Sequence, residues 1–177
     1  MISSRYSIMI FVLIALLGYE SISQERDGEP CNSVSHRLIQ PFLGIWEEYE
    51  IETNGEQTFI GTLSVSLGAN GCSLLQRFTS PDSTFSYTTM GFVNTGSGIW
   101  EETYIFSNGH VANYQWIIDS GDIIQRRVGG SRKIDYLHQL RFTEVTKSDY
   151  VVIQERSDDG GRTWKRTERT YIKRIGD

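Results

Sequence analysis

Residues 44–79 read GIWEEYEIETNGEQTFIGTLSVSLGANGCSLLQRFT, and the period of this stretch is two. Ile45, Tyr49 and Ile51 alternate with Trp46, Glu48, Glu50 and Glu52. Asn54-Gly55 then supplies the pair that tolerates positive φ in a tight hairpin turn. Phe59, Gly61, Leu63, Val65 and Leu67 line one face of the returning segment, with Thr58, Thr62, Ser64 and Ser66 on the other. A second Asn-Gly, Asn70-Gly71, sends the chain back through 72–79. Side chains that change face at every residue, broken by turn dipeptides, predict an antiparallel meander.

The pattern continues to the C-terminus. Segments 84–93, 98–106, 110–118, 122–128, 132–145, 150–156 and 164–174 read as further strands, punctuated by Asn108-Gly109, Ser120-Gly121 and Gly129-Gly130. No helical segment of about 10–15 residues separates any two of them, which excludes parallel βαβ folds. The expected fold is all-β: a single antiparallel up-and-down barrel of about 8–10 strands over 44–177, because closure removes the exposed edges of so long a meander. Ahead of it, a leading segment, 24–43, carries a short helical piece at 34–42, where Val34, Leu38, Ile39 and Phe42 fall at helical spacing until Pro41 stops it.

The first 23 residues read differently. Arg5 precedes the apolar run Ile8 to Leu17, and the small residues Ser21 and Ser23 flank Ile22 in the pattern of a signal-peptidase site, so 1–23 is expected to be a cleaved signal peptide. The run is about half of the roughly 20 apolar residues that a membrane-crossing helix needs, so no permanent membrane anchor is expected. An exported protein, periplasmic or extracellular, is the consequence. Export also gives meaning to the 2 cysteines, Cys31 and Cys72. An oxidising compartment favours their joining, with two separately buried thiols as the alternative. His36, His110 and His138 are scattered, none at ligand spacing from a Cys, so no metal site is expected.

Five stretches carry a resemblance: Phe42-Leu43-Gly44-Ile45-Trp46, Gly71-Cys72-Ser73-Leu74-Leu75, Gly98-Ile99-Trp100-Glu101-Glu102-Thr103-Tyr104, and Ser157-Asp158-Asp159-Gly160-Gly161-Arg162-Thr163-Trp164 with Tyr171-Ile172-Lys173-Arg174. In this order they resemble a group of exported bacterial proteins of unknown function with a calycin-like, lipocalin-related barrel. The resemblance implies a Cys31–Cys72 bridge between the leading segment and an early strand, and a Gly44-x-Trp46 element closing one barrel end. It implies no established activity. One departure concerns that end: the group often has Phe-Asp-Phe-Trp before its Gly-x-Trp, where this chain has Gln40-Pro41-Phe42-Leu43. Ser157-x-Asp159-x-Gly161-x-Thr163-Trp164 also resembles the Asp-box of sialidase-type propellers, but as a single copy it implies only a well-made hairpin turn with Trp164 packed inward.

Chemistry is less legible. With 17 Lys+Arg against 22 Asp+Glu the formal charge is -5, which offers phosphate backbones nothing, so nucleic acid is not an expected partner. There is no Gly-x-Ser-x-Gly elbow, His-Glu-x-x-His, phosphate-cradling loop or Cys-His arrangement, and no catalytic residues or cofactor are assigned. Glu47, Glu48, Glu50 and Glu52 crowd one strand, and those on its solvent face read as merely solvating. Glu101 and Glu102 must point to opposite faces, as must Arg126 and Arg127, and an inward Glu is expected to pair with an inward Arg.

Aromatics give the better argument. Tyr87, Trp100, Tyr104, Tyr114, Trp116 and Tyr136, with Phe142 and the in-phase His138, sit on consecutive central strands and could line a flat apolar cavity with a few polar tips. A barrel holding a small apolar or aromatic ligand without turnover is the leading expectation. An isomerase, cyclase or hydrolase would need an inward acid and base, from Glu101 or Glu102 with His138 or Arg127. An envelope interaction or structural protein would instead show a filled barrel and a large exposed apolar patch.

Overall fold

The computed structural model describes residues 31, 34–68, 71–119 and 121–177. The expected signal peptide, 1–23, lies outside the described residues, as does Asn70 of the second Asn-Gly turn. A single helical turn, α1 (Val34–Arg37), and a 3-10 turn (Gln40–Phe42) lead into ten strands. These are β1 (Gly44–Ile51), β2 (Gln57–Gly68), β3 (Ser73–Thr79), β4 (Ser86–Val93), β5 (Trp100–Phe106), β6 (Val111–Asp119), β7 (Asp122–Gly130), β8 (Leu137–Thr143), β9 (Asp149–Ser157) and β10 (Lys165–Gly176). Each pairs antiparallel with its sequence neighbours, and β1 also pairs with β10, closing the barrel. The meander read from the sequence is therefore shut into a ring without an open edge.

One end of the ring is plugged. Ile39 and Phe42 from the leading segment are buried beneath Trp46, Trp100, Trp116, Phe142 and Tyr150. The Phe42 ring meets Trp116, Phe142 and Tyr150 edge-on, with centroids 5.6, 5.3 and 5.2 Å away, the arrangement that aromatic quadrupoles favour. Trp46 Nε1 donates to Phe42 O at 2.8 Å, and Trp100 Nε1 donates to Ser35 O, so both buried indoles hold the plug by a hydrogen bond as well as by packing. Arg174 clamps it from β10. Its guanidinium lies 4.2 Å from the Trp46 ring centroid and donates to Leu43 O at 2.5 Å, Pro41 O at 3.1 Å and Lys147 O at 2.6 Å. Gly44, at φ +130°, is required here because a Cβ would collide with that guanidinium.

Cys31 is bonded to Cys72, with Cα atoms 4.9 Å apart, inside the normal bridging range. The bridge ties the leading segment to the start of β3 at the plugged end. Of the two readings of the cysteines, the bridged one holds.

Two boundaries differ from the sequence reading. Gly129-Gly130 is not a turn: Gly130 still pairs with Ala112 at the end of β7, at φ +149° where a Cβ would strike Val111 O. The strand expected over 132–145 is correspondingly shorter, β8 starting only at Leu137, because residues 131–136 are used to make the turn.

Candidate functional site

Alternation decides which side chains enter the lumen. On β5, Trp100, Glu102 and Tyr104 point inward and are buried; on β6 it is Ala112, Tyr114 and Trp116. The plug fills one half of the lumen, and the other half encloses a cavity of about 250 Å³. Leu63, Phe142, Tyr150, Val152 and Ile172 form its apolar floor, and Tyr87, Tyr104, Tyr114, Phe85 and Phe106 ring it toward the β3–β4 and β5–β6 loops. The rings are mutually braced: Tyr87 and Phe78 stack at 5.1 Å, and Tyr104 meets Tyr87 at 5.4 Å and Tyr114 at 5.1 Å.

Glu102 stands between plug and cavity, 1% exposed. It is not paired with an arginine. Gln76 Nε2 donates to its Oε1 at 2.6 Å, as does Thr89 Oγ1, while Trp116 Nε1 and Gln125 Nε2 each donate to Oε2 at 2.8 Å. Tyr104 OH donates in turn to Gln125 Oε1 at 2.8 Å, fixing that amide. Burial pushes the Glu102 carboxyl up to about 7, and Thr89, Trp116 and Gln76 pull the other way. Two side-chain partners meet each carboxyl oxygen and oppose that rise. Glu102 is a structural carboxyl with its oxygens occupied.

Glu48 is its opposite. Glu48 is not among the glutamates of β1 that merely meet solvent: it shares a face with Trp46, is 8% exposed, and lines the cavity. Among the described residues nothing hydrogen-bonds to its carboxyl, and burial together with the charge of Glu168 on β10 pushes it up to about 8. Every polar side-chain atom that is fully sealed among the described residues has a partner, so the Glu48 oxygens face the cavity space. Glu168 lines the same cavity and is likewise raised, by burial and by Glu50.

His138 lines the wall with Tyr114 OH 3.2 Å from Nδ1 and Gln154 Oε1 3.4 Å from Nε2. The Nε2–H tautomer, assigned from these neighbours, donates to Gln154 and accepts from Tyr114. Burial lowers its pKa, which keeps the ring neutral. Tyr87, Tyr104 and Tyr150 are raised well above the ordinary phenol value, chiefly by burial.

Of the residues singled out by sequence, Tyr87, Tyr104, Tyr114 and His138 converge on the cavity. Trp100 and Trp116 belong to the plugged core, and Tyr136 sits in the β7–β8 loop under the Arg156 guanidinium, 4.0 Å from its centroid. The proposed acid–base pairs are not assembled. Glu101 accepts from Asn94 Nδ2 at 3.1 Å, away from the lumen. Glu102 is saturated, and Arg127 is spent on the carbonyls of Gly129 and Arg132 at 3.2 and 3.0 Å. Trp164 does not pack inward: it lies half-buried outside the cavity with the Arg126 guanidinium 5.5 Å from its ring. The turn before it is well made, Asp159 Oδ1 accepting from Ser157 Oγ, Arg162 N and Thr163 N at 2.8, 3.0 and 2.9 Å. The outer wall of β3–β5 exposes Leu75, Met90, Phe92 and Ile105, but the filled lumen expected of a purely structural barrel is not present.

Sequence reasoning missed Glu48, Glu168, Gln76 and Gln125. For Glu48 the signal was available, since a strand that buries Trp46 also turns Glu48 inward. Gln76 and Gln125 had no such mark, because each becomes meaningful only through the carboxylate that it meets from another strand. Among the described residues no three His, Cys, Asp or Glu side chains converge as metal ligands, and no helix is long and apolar enough to cross a membrane. No protein-family model and no curated protein matches the chain.

Proposed function

We propose that this chain is an exported barrel protein, related to the calycin-like group it resembles, that holds a compact aromatic molecule in its lumen without chemical turnover. The observation that carries the reading is the half-empty barrel: braced aromatic side chains surround about 250 Å³ that they do not fill. That volume lies just under the roughly 300–1,000 Å³ of common ligand pockets, and suits a molecule of one or two rings. The acid–base pairs weighed from the sequence do not support turnover, since Glu102 accepts from four donors and both ring nitrogens of His138 have neighbours. Export is supported by the pattern at 1–23 and by the Cys31–Cys72 bridge.

Calorimetric titration with indole tests the lumenal site. One saturable site per chain is expected, abolished by Leu140→Trp, which places a large ring from β8 into the cavity. Absence of saturable binding, or binding indifferent to that substitution, overturns the reading. For export, mass spectrometry of protein recovered outside the cytoplasm should give a mature chain beginning near Gln24; an intact Met1 start overturns it.

A further inference from the structure

The cavity has a polar side that an apolar ligand would leave unanswered. Glu48 and Glu168 both line it, from the neighbouring strands β1 and β10. Among the described residues no Lys or Arg lines it with them. Arg127, whose charge reaches Tyr114 and His138, is engaged with backbone carbonyls, and Arg156 with Asp158 at 2.6 Å and the face of Tyr136. Glu102 shows how this fold treats a buried carboxylate that it means to satisfy internally, surrounding it with four donors. Glu48, more than nine-tenths buried, receives none. A buried carboxyl with no partner costs free energy unless something else supplies the hydrogen bonds.

Resting on the lumenal-binding reading, we propose that the occupant is a protonated aromatic amine whose ammonium group is received by Glu48, with Glu168 as a second acidic contact, while its ring lies among Tyr87, Tyr104 and Tyr114. An ammonium brings the three donors that Glu48 lacks, together with the positive charge that two neighbouring carboxyls need. Tyr87 and Tyr150 lie close enough to Glu48 to feel its charge, and their ring faces attract the same cation. An anionic ligand meets two carboxyls and no counter-charge; a neutral one leaves Glu48 as it was.

Three probes of one shape and different charge separate these cases: tryptamine, 3-propylindole and indole-3-propionate, titrated into the full mature protein. Tryptamine is expected to bind at least ten-fold more tightly than 3-propylindole, and indole-3-propionate more weakly than either. Glu48→Gln is expected to remove that preference by weakening tryptamine alone, with 3-propylindole unchanged; Glu168→Gln is expected to do so in part. Unchanged 3-propylindole affinity reports an intact lumen in each variant, so a misfolded variant is recognised directly. Equal affinity for tryptamine and 3-propylindole, or a preference that survives Glu48→Gln, overturns the amine while leaving lumenal binding in place. Failure of all three probes to bind overturns both.

Discussion

The two halves of this barrel are built from the same residue types and do opposite things with them. In the plugged half, rings meet Phe42 edge-on and the polar tips of three buried side chains are answered by the protein: Trp46 by Phe42 O, Trp100 by Ser35 O, Glu102 by four donors. In the open half, rings of similar size stand around a void, and Glu48 faces it without a donor. An aromatic face therefore says nothing by itself about core or site. What separates the two is whether the polar groups beside it are matched from within the chain.

That contrast can be broken deliberately, most severely at the plug. Trp46→Ala is expected to cost about 3–5 kcal/mol in denaturant unfolding, since it removes a fully buried ring, its bond to Phe42 O and the seat of Arg174. Cys31→Ser is expected to cost roughly 2–4 kcal/mol with the far-ultraviolet spectrum of the strands unchanged, because the bridge closes a loop spanning 41 positions. Loss of the spectrum would show that the plug organises the barrel rather than only capping it.

The open half should respond with the other sign. Glu48→Leu is expected to raise stability by about 0.5–2 kcal/mol, the range typical when a site is traded for packing. The titration of Glu48 sharpens this. Its folded-state value is raised, from 4.5 to about 8, so the native state holds the proton more tightly. Stability from this group is complete below about pH 4.5 and is lost as the pH rises toward 8. Glu168, Tyr87 and Tyr150 share its surroundings; of these only Glu168, also raised, adds to the slope in that window. Melting temperatures measured across the window should fall in the parent and fall less in Glu48→Gln; identical slopes would place the Glu48 carboxyl in water. The smallest effect is expected at Tyr136→Ala, about 0.5–1 kcal/mol from the lost contact with Arg156 and no change in indole binding.

Much of the fold was legible because it rests on a period of two and on turn dipeptides, both local properties. The antiparallel barrel of about 8–10 strands follows from them, whereas the helical piece at 34–42 rested on helical spacing and the joining of the cysteines on an oxidising compartment. Gly129-Gly130 misled because two glycines serve equally for a turn and for a strand that passes close to Val111. The site was half legible. Tyr87, Tyr104, Tyr114 and His138 are placed by alternation alone, but which of the aromatics enclose space and which fill it depends on where the leading segment docks. The expectation that an inward Glu meets an inward Arg failed at Glu102 for a related reason: its partners Gln76, Thr89, Trp116 and Gln125 arrive from four other strands, and register across strands is not written in any one of them.

Closure of the ring by β1 and β10 has a kinetic consequence. The pairing of Glu47 with Lys173 and of Tyr49 with Tyr171 joins segments more than a hundred positions apart, and Arg174 reaches back to Pro41 and Leu43 across 133 and 131. Such contacts form late, because the entropy of closing so long a loop is lost before any of their energy is gained. Until β10 arrives, β1 and β9 are bare edges and the lumen is an open apolar trough. The cavity is thus completed by the closing strand of the ring, one that carries Glu168 into it in the same step.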